Sequence, residues 1–517
     1  MMGKDRMQTG GRRSIAQRCR RFADAEDGSI LPLSMVFVMS MIMMGGLAVD
    51  LMRHEEKRVL LQQTLDRCVL SAASLKQSLD PEVVVTDCFE KAGLSDQLAS
   101  VDVSEGLNYR TVSARGQTDA QPLFMDLLGV DEFPVKAVST ADERISNVEV
   151  SLVLDISGSM NGSRITNLKP AAQSFVDTVM ASSDPGKVTI SMIPYSAQVN
   201  LGPNLMAQFN APANHSSSYC IELPDSVFGS TALSQTTGFT HNGHFDPFNS
   251  STSASLFNCT PHTSNHVVAI SDNATSLKSA IGGLTVGGNT SIDLGVKWGA
   301  LLLDPSSQPI VQGLISRGTV GASYANRPLD GASIDTLKVL VVMSDGENTT
   351  EYKLASGYNT GNSNIWRRSS DGAVWVYHNR ASTANDYYNP SSGSWSSAVG
   401  TGAVQQTWPQ VWARWTVYYV ARNLYATPLG QSTSTWQANF TDYVASTKNS
   451  RMQEICTAAK NAGIVIYSIA FEAPTGGQTQ LKACATSDAH YFNAAGTEIA
   501  TVFSAIASQI SYLRLTQ

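Results

Sequence analysis

The spacing of apolar positions divides this chain. From Gly28 to Val49 there is no charged side chain at all. Folded as a helix, that run is roughly 33 Å long, against a bilayer core of about 30 Å, so it predicts one membrane-spanning helix over residues 28–50. Helical apolar spacing then continues past Asp50. Beyond Asp80 it gives way to short alternating strand patterns at Ser100 to Val103, Tyr109 to Ala114 and Phe133 to Ser139, with an amphipathic stretch from Pro122 to Leu128. Residues 51–146 therefore read as a helix and a small α+β module. Leu123, Phe124, Leu127 and Leu128 are expected to lie in its core.

From residue 147 the pattern changes again. Buried-strand runs at Val148 to Leu154, Val188 to Ile193, Leu337 to Met343 and Ile464 to Ala470 alternate with helical spacing at Ile165 to Met180, Ser291 to Leu303 and Arg451 to Ala462. A short helix near Leu481, an edge strand at Tyr491-Phe492-Asn493 and a closing helix from Ile499 to Leu515 complete the order, and Asp184-Pro185-Gly186 marks a turn. Such alternation predicts an α/β fold, a doubly wound and mostly parallel sheet with helices on both faces, over residues 147–515. Two stretches interrupt it, at about 200–266 and 348–447. Both are rich in Ser and Asn, and the second also in Tyr and Trp.

Charge adds direction. Lys4, Arg6, Arg12, Arg13, Arg18, Arg20 and Arg21 precede the apolar run, while Arg53 to Arg58 mixes signs. The excess of positive charge predicts a cytoplasmic tail at residues 1–27 and export of everything after Asp50. The apolar run is long for a signal peptide and continues into an amphipathic helix, so an uncleaved anchor is expected. A net charge of -7 over 517 residues leaves no basic footprint for nucleic acid. Only Cys19 precedes the membrane; Cys68, Cys88, Cys220, Cys259, Cys456 and Cys484 follow it, as an oxidising compartment permits. Pairing of neighbours along the chain is the expectation.

The chemistry concentrates where strands end. The run Val148 to Leu154 is followed by Asp155-Ile156-Ser157-Gly158-Ser159, which puts a carboxylate and two hydroxyls at the carboxyl edge of a buried strand, where open α/β sheets hold their ligands. Gly287-Gly288-Asn289-Thr290 opens a helix, and Ser344-Asp345-Gly346 ends another strand. Magnesium takes hard oxygen ligands in octahedral geometry, one or two of them carboxylates. The set resembles the metal-ion-dependent adhesion site of the von Willebrand factor A domain, built from D-x-S-x-S, a distant threonine and a distant aspartate. The resemblance implies a magnesium ion, with manganese or calcium as alternatives, held by Asp155, Ser157, Ser159, Thr290 and Asp345. It also implies an acidic side chain of a protein partner at the open coordination position.

A second resemblance lies around the membrane. Gly28-Ser29-Ile30-Leu31-Pro32, Gly45 to Asp50, Gln62 to Asp66 and Ser71-Ala72-Ala73 are similar to the amino terminus of TadE/TadG-like proteins of Tad (Flp) pilus assembly. With an A domain downstream, the order is that of TadG-type proteins. This implies a single-pass protein of the bacterial inner membrane, with a periplasmic carboxyl-terminal domain that binds a pilus-assembly component or a surface protein. Leu33 stands where related pseudopilins carry the glutamate required for processing after glycine, so cleavage at Gly28 is not expected. Two other readings stand beside docking: a passive stalk with a stabilising metal, and a metal-dependent hydrolase.

No enzyme motif competes strongly. There is no P-loop and no G-x-S-x-G elbow, and the second acid of a haloacid-dehalogenase site is replaced by Ser157, so a non-enzymatic role is expected. His215, His241, His244, His262 and His266 lack a second close ligand pair of zinc-like spacing, and are expected as solvated loop residues. The rings of the second insertion, from Trp366 to Tyr419, suit either a recognition surface or the insertion's own core.

Overall fold

A computed structural model describes residue 20 and residues 30–74, 77, 79–105, 109–144, 147–181, 186–330, 336–380 and 383–511. The tail apart from Arg20, with Cys19 in it, lies outside the described residues, as do Gly28, Ser29, Asp184, Pro185 and everything after Ser511. The chain forms two compact units, Met1–Ser104 with Arg110–Glu143 and Glu105–Tyr109 with Arg144–Gln517.

In the first unit, helix α1 runs without a break over Ile30–Ala73. Among the described residues it is the one helix long and apolar enough to cross a membrane. Its first half leaves side chains such as Met35, Phe37 and Met41 exposed, as lipid contact requires. Its second half buries a stripe at Leu61, Leu65, Cys68, Val69 and Ala72, spaced three and four apart so that they share one face. That stripe packs with Val85 and Phe89 of α2 (Pro81–Lys91) and with Val112, Ala114, Val135 and Ala137 of the sheet β1 (Leu98–Glu105), β2 (Tyr109–Ala120) and β3 (Phe133–Arg144). A Cys68–Cys88 bridge ties α1 to α2. The stretch Pro122 to Leu128 is a turn rather than a core element: Leu123, Leu127 and Leu128 are 58%, 81% and 59% exposed. The sequence pattern misled there because a leucine cluster in a short turn can satisfy helical spacing without an opposing surface.

The second unit is built on a six-stranded sheet. Its strands are β4 (Asn147–Asp155), β5 (Val188–Tyr195), β6 (Val268–Ser271), β7 (Thr336–Ser344), β8 (Val465–Phe471) and β9 (Tyr491–Ala494), in the order β9-β8-β7-β4-β5-β6. All neighbours are parallel except β5 and β6. The period-two pleat of β4 sends Val148, Val150, Leu152 and Leu154 to one core, with α3 (Ser163–Ala181), α4 (Ala274–Gly283) and α9 (Glu498–Ser511). Val153 faces the other core, with α5 (Ile292–Leu301), α6 (Gln308–Ser316), α7 (Lys448–Asn461) and α8 (Thr475–Cys484). Helices thus cover both faces, the doubly wound α/β plan expected. Strand β6 and helices α4 and α6 were not anticipated: β6 is short, and α4 and α6 follow turn-rich sequence.

Cys456 of α7 and Cys484 of α8 are bridged, with Cα atoms 5.2 Å apart, and Cys220 pairs with Cys259, at 6.0 Å. Bridges closing loops of this size typically stabilise by about 2 to 5 kcal/mol.

The second insertion folds on its own core. Trp408, Trp412, Trp415, Tyr425 and Phe440 are buried together beneath a five-stranded antiparallel sheet, and Phe245 of the first insertion joins them. Of the two readings of its rings, most of the tryptophans therefore serve packing. The insertions are stitched together by backbone: Ser253 bridges Trp415, and the Thr416 N–H donates to Thr252 O at 3.2 Å.

Candidate functional site

Asp155 ends the central strand β4 and is fully buried. Its Oδ1 accepts the Ser157 N–H at 2.8 Å and its Oδ2 the Ser344 hydroxyl at 2.6 Å, so the carboxylate bends its own loop and is gripped from the adjacent strand. Tyr195, at the end of β5, backs it, donating to Met343 O at 2.9 Å. The next links run through hydroxyls: Ser157 Oγ lies 3.0 Å from Ser159 Oγ, and Ser159 Oγ donates to Asp345 Oδ1 at 2.7 Å.

Thr290 arrives on a separate loop. The Gly287 N–H donates to Ile156 O and the Gly158 N–H to Gly288 O, both at 2.9 Å, which locks the two loops together. Gly288 has φ +82°, a conformation glycine takes at no steric cost. The Thr290 N–H donates to Thr349 Oγ1 at 2.8 Å and Thr290 O accepts the Thr349 N–H at 2.9 Å. A Cβ on Gly346 would stand 3.6 Å from Thr290 Oγ1 and 3.9 Å from Ser159 Oγ, so glycine leaves the hollow between them open. All five residues singled out from the sequence thus converge at the carboxyl edge of the sheet.

The donor set suits a small divalent cation. Adjacent ligands of an octahedral ion bound at 2.0–2.1 Å stand about 2.9 Å apart, and the hydroxyl–hydroxyl and hydroxyl–carboxylate separations above bracket that value. Burial, and then the neighbouring Asp345 carboxylate, push Asp155 up to about 6, which is the cost of gathering two acids away from water. A cation would reverse it.

Arg164, absent from the sequence reading, supplies part of the counter-charge. Its Nη1 donates to Asp345 Oδ2 at 2.7 Å and to Ser159 O at 3.2 Å, and its Nε donates to Glu472 Oε2 at 2.8 Å. The only sequence signal was its place one turn after the D-x-S-x-S loop, where helices more often welcome acids.

A second missed feature anchors the Thr290 loop. Lys448 Nζ, fully buried, donates to Ser291 Oγ at 2.6 Å and stands 3.0 Å from Asp293 Oδ1. Arg451 Nη1 pairs with Glu351 Oε2 at 2.9 Å and lies 3.7 Å from Asp293 Oδ2. Glu351 is where the second insertion leaves the domain and Lys448 is where it returns, so one buried network joins the insertion's root to the helix behind Thr290. Burial raises the Asp293 carboxyl while Lys448 pulls it down. Asp293 and Lys297, the two charges in the otherwise apolar helix Ile292–Leu301, were the available signal.

Two further features frame the site. A cleft of about 350 Å³ opens beside Gly158, Gly288 and Asn289, walled by Phe248, Leu256 and Val286. Farther off, His241 and His244 are buried rather than solvated, and the His215 and His241 rings lie 4.1 Å apart. His241 accepts the Asn214 N–H at Nδ1 and bonds Ser218 O through Nε2, so its ring is spent on loop structure. Loops stapled by a disulfide bury polar groups that composition alone would assign to water. Among the described residues no three His, Cys, Asp or Glu side chains are grouped to hold a metal, these histidines included.

Residues 28–75 match the family model of putative Flp pilus-assembly TadE/G-like proteins. Among solved structures, the chain is similar to the pilus adhesin SpaC from Lactobacillus rhamnosus GG, with 11% identity, a TM-score of 0.30, and coverage of 80% of this chain but only 34% of that one. It is also similar to the vWF domain of the type V pili tip protein Mfa5 from Porphyromonas gingivalis, with 15% identity, 72% and 98% coverage and a TM-score of 0.33. A third is proximal thread matrix protein 1 from the mussel byssus with a zinc-occupied MIDAS motif, with 10% identity, 71% and 48% coverage and a TM-score of 0.27. No curated protein matches the chain.

Proposed function

Starting from a TadE/G-like amino-terminal segment on a chain that carries this oxygen-lined site, we propose a membrane-anchored, exported protein that docks a protein partner through a magnesium ion in support of pilus assembly or surface adhesion. The observation that carries this is the convergence of Asp155, Ser157, Ser159, Thr290 and Asp345 with ligand-like oxygen spacing. Bound there, magnesium would offer a Lewis-acidic position to a partner's Asp or Glu. The cleft beside Gly158 would take an apolar neighbour of that acid. Catalysis has little support: Asp155 is fully buried with both oxygens engaged and Asp345 is held by Arg164, so neither is free to act as a general base.

Capture of a protein partner from detergent-solubilised membranes, with and without chelator, tests the docking. The expected result is a partner retained in magnesium and released by EDTA; retention that ignores EDTA would refute docking through the metal. Orientation follows the basic tail. A reporter fused after Gln517 is expected to be active in the periplasm, and activity confined to the cytoplasm would refute that topology.

A further inference from the structure

The turn between β2 and β3 exposes Leu123, Leu127 and Leu128, and it does so at one level of α1. Asp50, 2% exposed, accepts the N–H of Leu123 at 2.9 Å through Oδ1, and those of Phe124 and Met125 at 2.7 and 2.8 Å through Oδ2. A Cβ on Gly46 would fall 2.3 Å from Phe124 Cγ, so the Phe124 ring lies where only glycine leaves room on the helix. The turn is thereby pinned to α1 between Gly46 and Asp50. Asp50 is also the first charged residue after the apolar run. Residues 30–49 rise roughly 30 Å as a helix, the thickness of a bilayer core, so a turn pinned at residues 46–50 sits at the membrane border.

What the pinned turn presents there is leucine. Leu127 is 81% exposed, the highest value of any large apolar side chain among the described residues, and Leu123 and Leu128 flank it. Asp126 in the same turn, and Asp131 and Glu132 just after it, are exposed as well, which sets a depth. Leucines can reach the boundary between headgroups and acyl chains while the carboxylates stay in water.

We propose that this turn is a second membrane contact: Leu123, Leu127 and Leu128 enter the outer face of the bilayer beside α1 and fix the helix's rotation and depth. The occupant is lipid because the turn is pinned at Gly46 of the apolar run, whose neighbours Met43, Leu47 and Val49 are themselves exposed. The inference rests on α1 spanning the membrane, and its test separates the two. The full chain with Cys19→Ser and Leu127→Cys is labelled with an environment-sensitive fluorophore and placed in phosphatidylethanolamine–phosphatidylglycerol nanodiscs. Matching labels go on Met41→Cys, within the span, and on Val404→Cys, exposed in the second unit.

The Leu127 label is expected to shift to the blue, and to be quenched more by lipids brominated high on the acyl chain than by those brominated at its end. The Met41 label should be quenched most deeply and the Val404 label not at all. If Met41 is quenched while Leu127 behaves like Val404, the span stands and the turn's insertion falls. If neither is quenched, the span fails and the proposal with it. Shielding of Leu127 only in native membranes, never in pure lipid, would assign the leucines to a protein instead and overturn the lipid contact.

Discussion

Replacing Asp155 with alanine is expected to weaken magnesium binding by at least about 100-fold, the upper end of what loss of a supporting ligand alone costs, while the sheet stays folded. Isothermal calorimetry reads the loss and circular dichroism the fold. The carboxylate both orients the serine loop, through the Ser157 N–H, and links it to β7, through Ser344. Partner capture should fall with the metal. A variant that folds, binds no magnesium and still supports pilus assembly and attachment would end the docking reading.

The same residue predicts a pH effect in chelator. Its carboxyl is raised in the folded state, so the folded protein holds a proton that the unfolded chain releases between about pH 4 and 6. The penalty is present above about pH 6 and is relieved as pH falls toward 4. Asp155→Asn should flatten that slope, and magnesium at a hundred times its Kd should add about 2.7 kcal/mol to the native protein.

Lys448→Met should cost about 3 to 5 kcal/mol of stability by denaturant unfolding, because it removes the nearest cation of buried Asp293 and leaves that carboxylate to share Arg451, 3.7 Å away, with Glu351. Methionine keeps the length and the apolar stem, so packing loss is small and the effect is electrostatic. Magnesium affinity should fall as well, since Lys448 positions Ser291 beside Thr290. A cost under about 1 kcal/mol, within the range of ordinary exposed pairs, would mean that the network is not holding the insertion's root.

These residues also show where sequence legibility stops. The convergence of the five candidate residues is legible because each sits at a strand end or helix entry marked by a glycine or a β-branched run, a local signal. Arg164, Lys448 and Arg451 are not, because a charged side chain reads the same whether it meets water or a partner some 180 positions away, as Arg164 meets Asp345. The disulfides paired along the chain as expected, since each joins segments already close in sequence. The leucines of residues 123–128 and the histidines of the first insertion erred in opposite senses. Apolar character does not secure burial, nor polar character exposure, and in both places tertiary context decides.

Strand β4 has a mechanical consequence. The chain enters it at Asn147, and Asp155, in the candidate site, stands at its far end. A pull applied between Asn147 and a partner held at Asp155 would act along the strand. Because β4 is central and runs parallel to both β5 and β7, such a pull loads the rungs of both ladders in shear, together, instead of peeling them one at a time. Resistance to a tug is then set by the height of the unfolding barrier rather than by equilibrium stability. A surface fibre under flow makes that demand of whatever holds it.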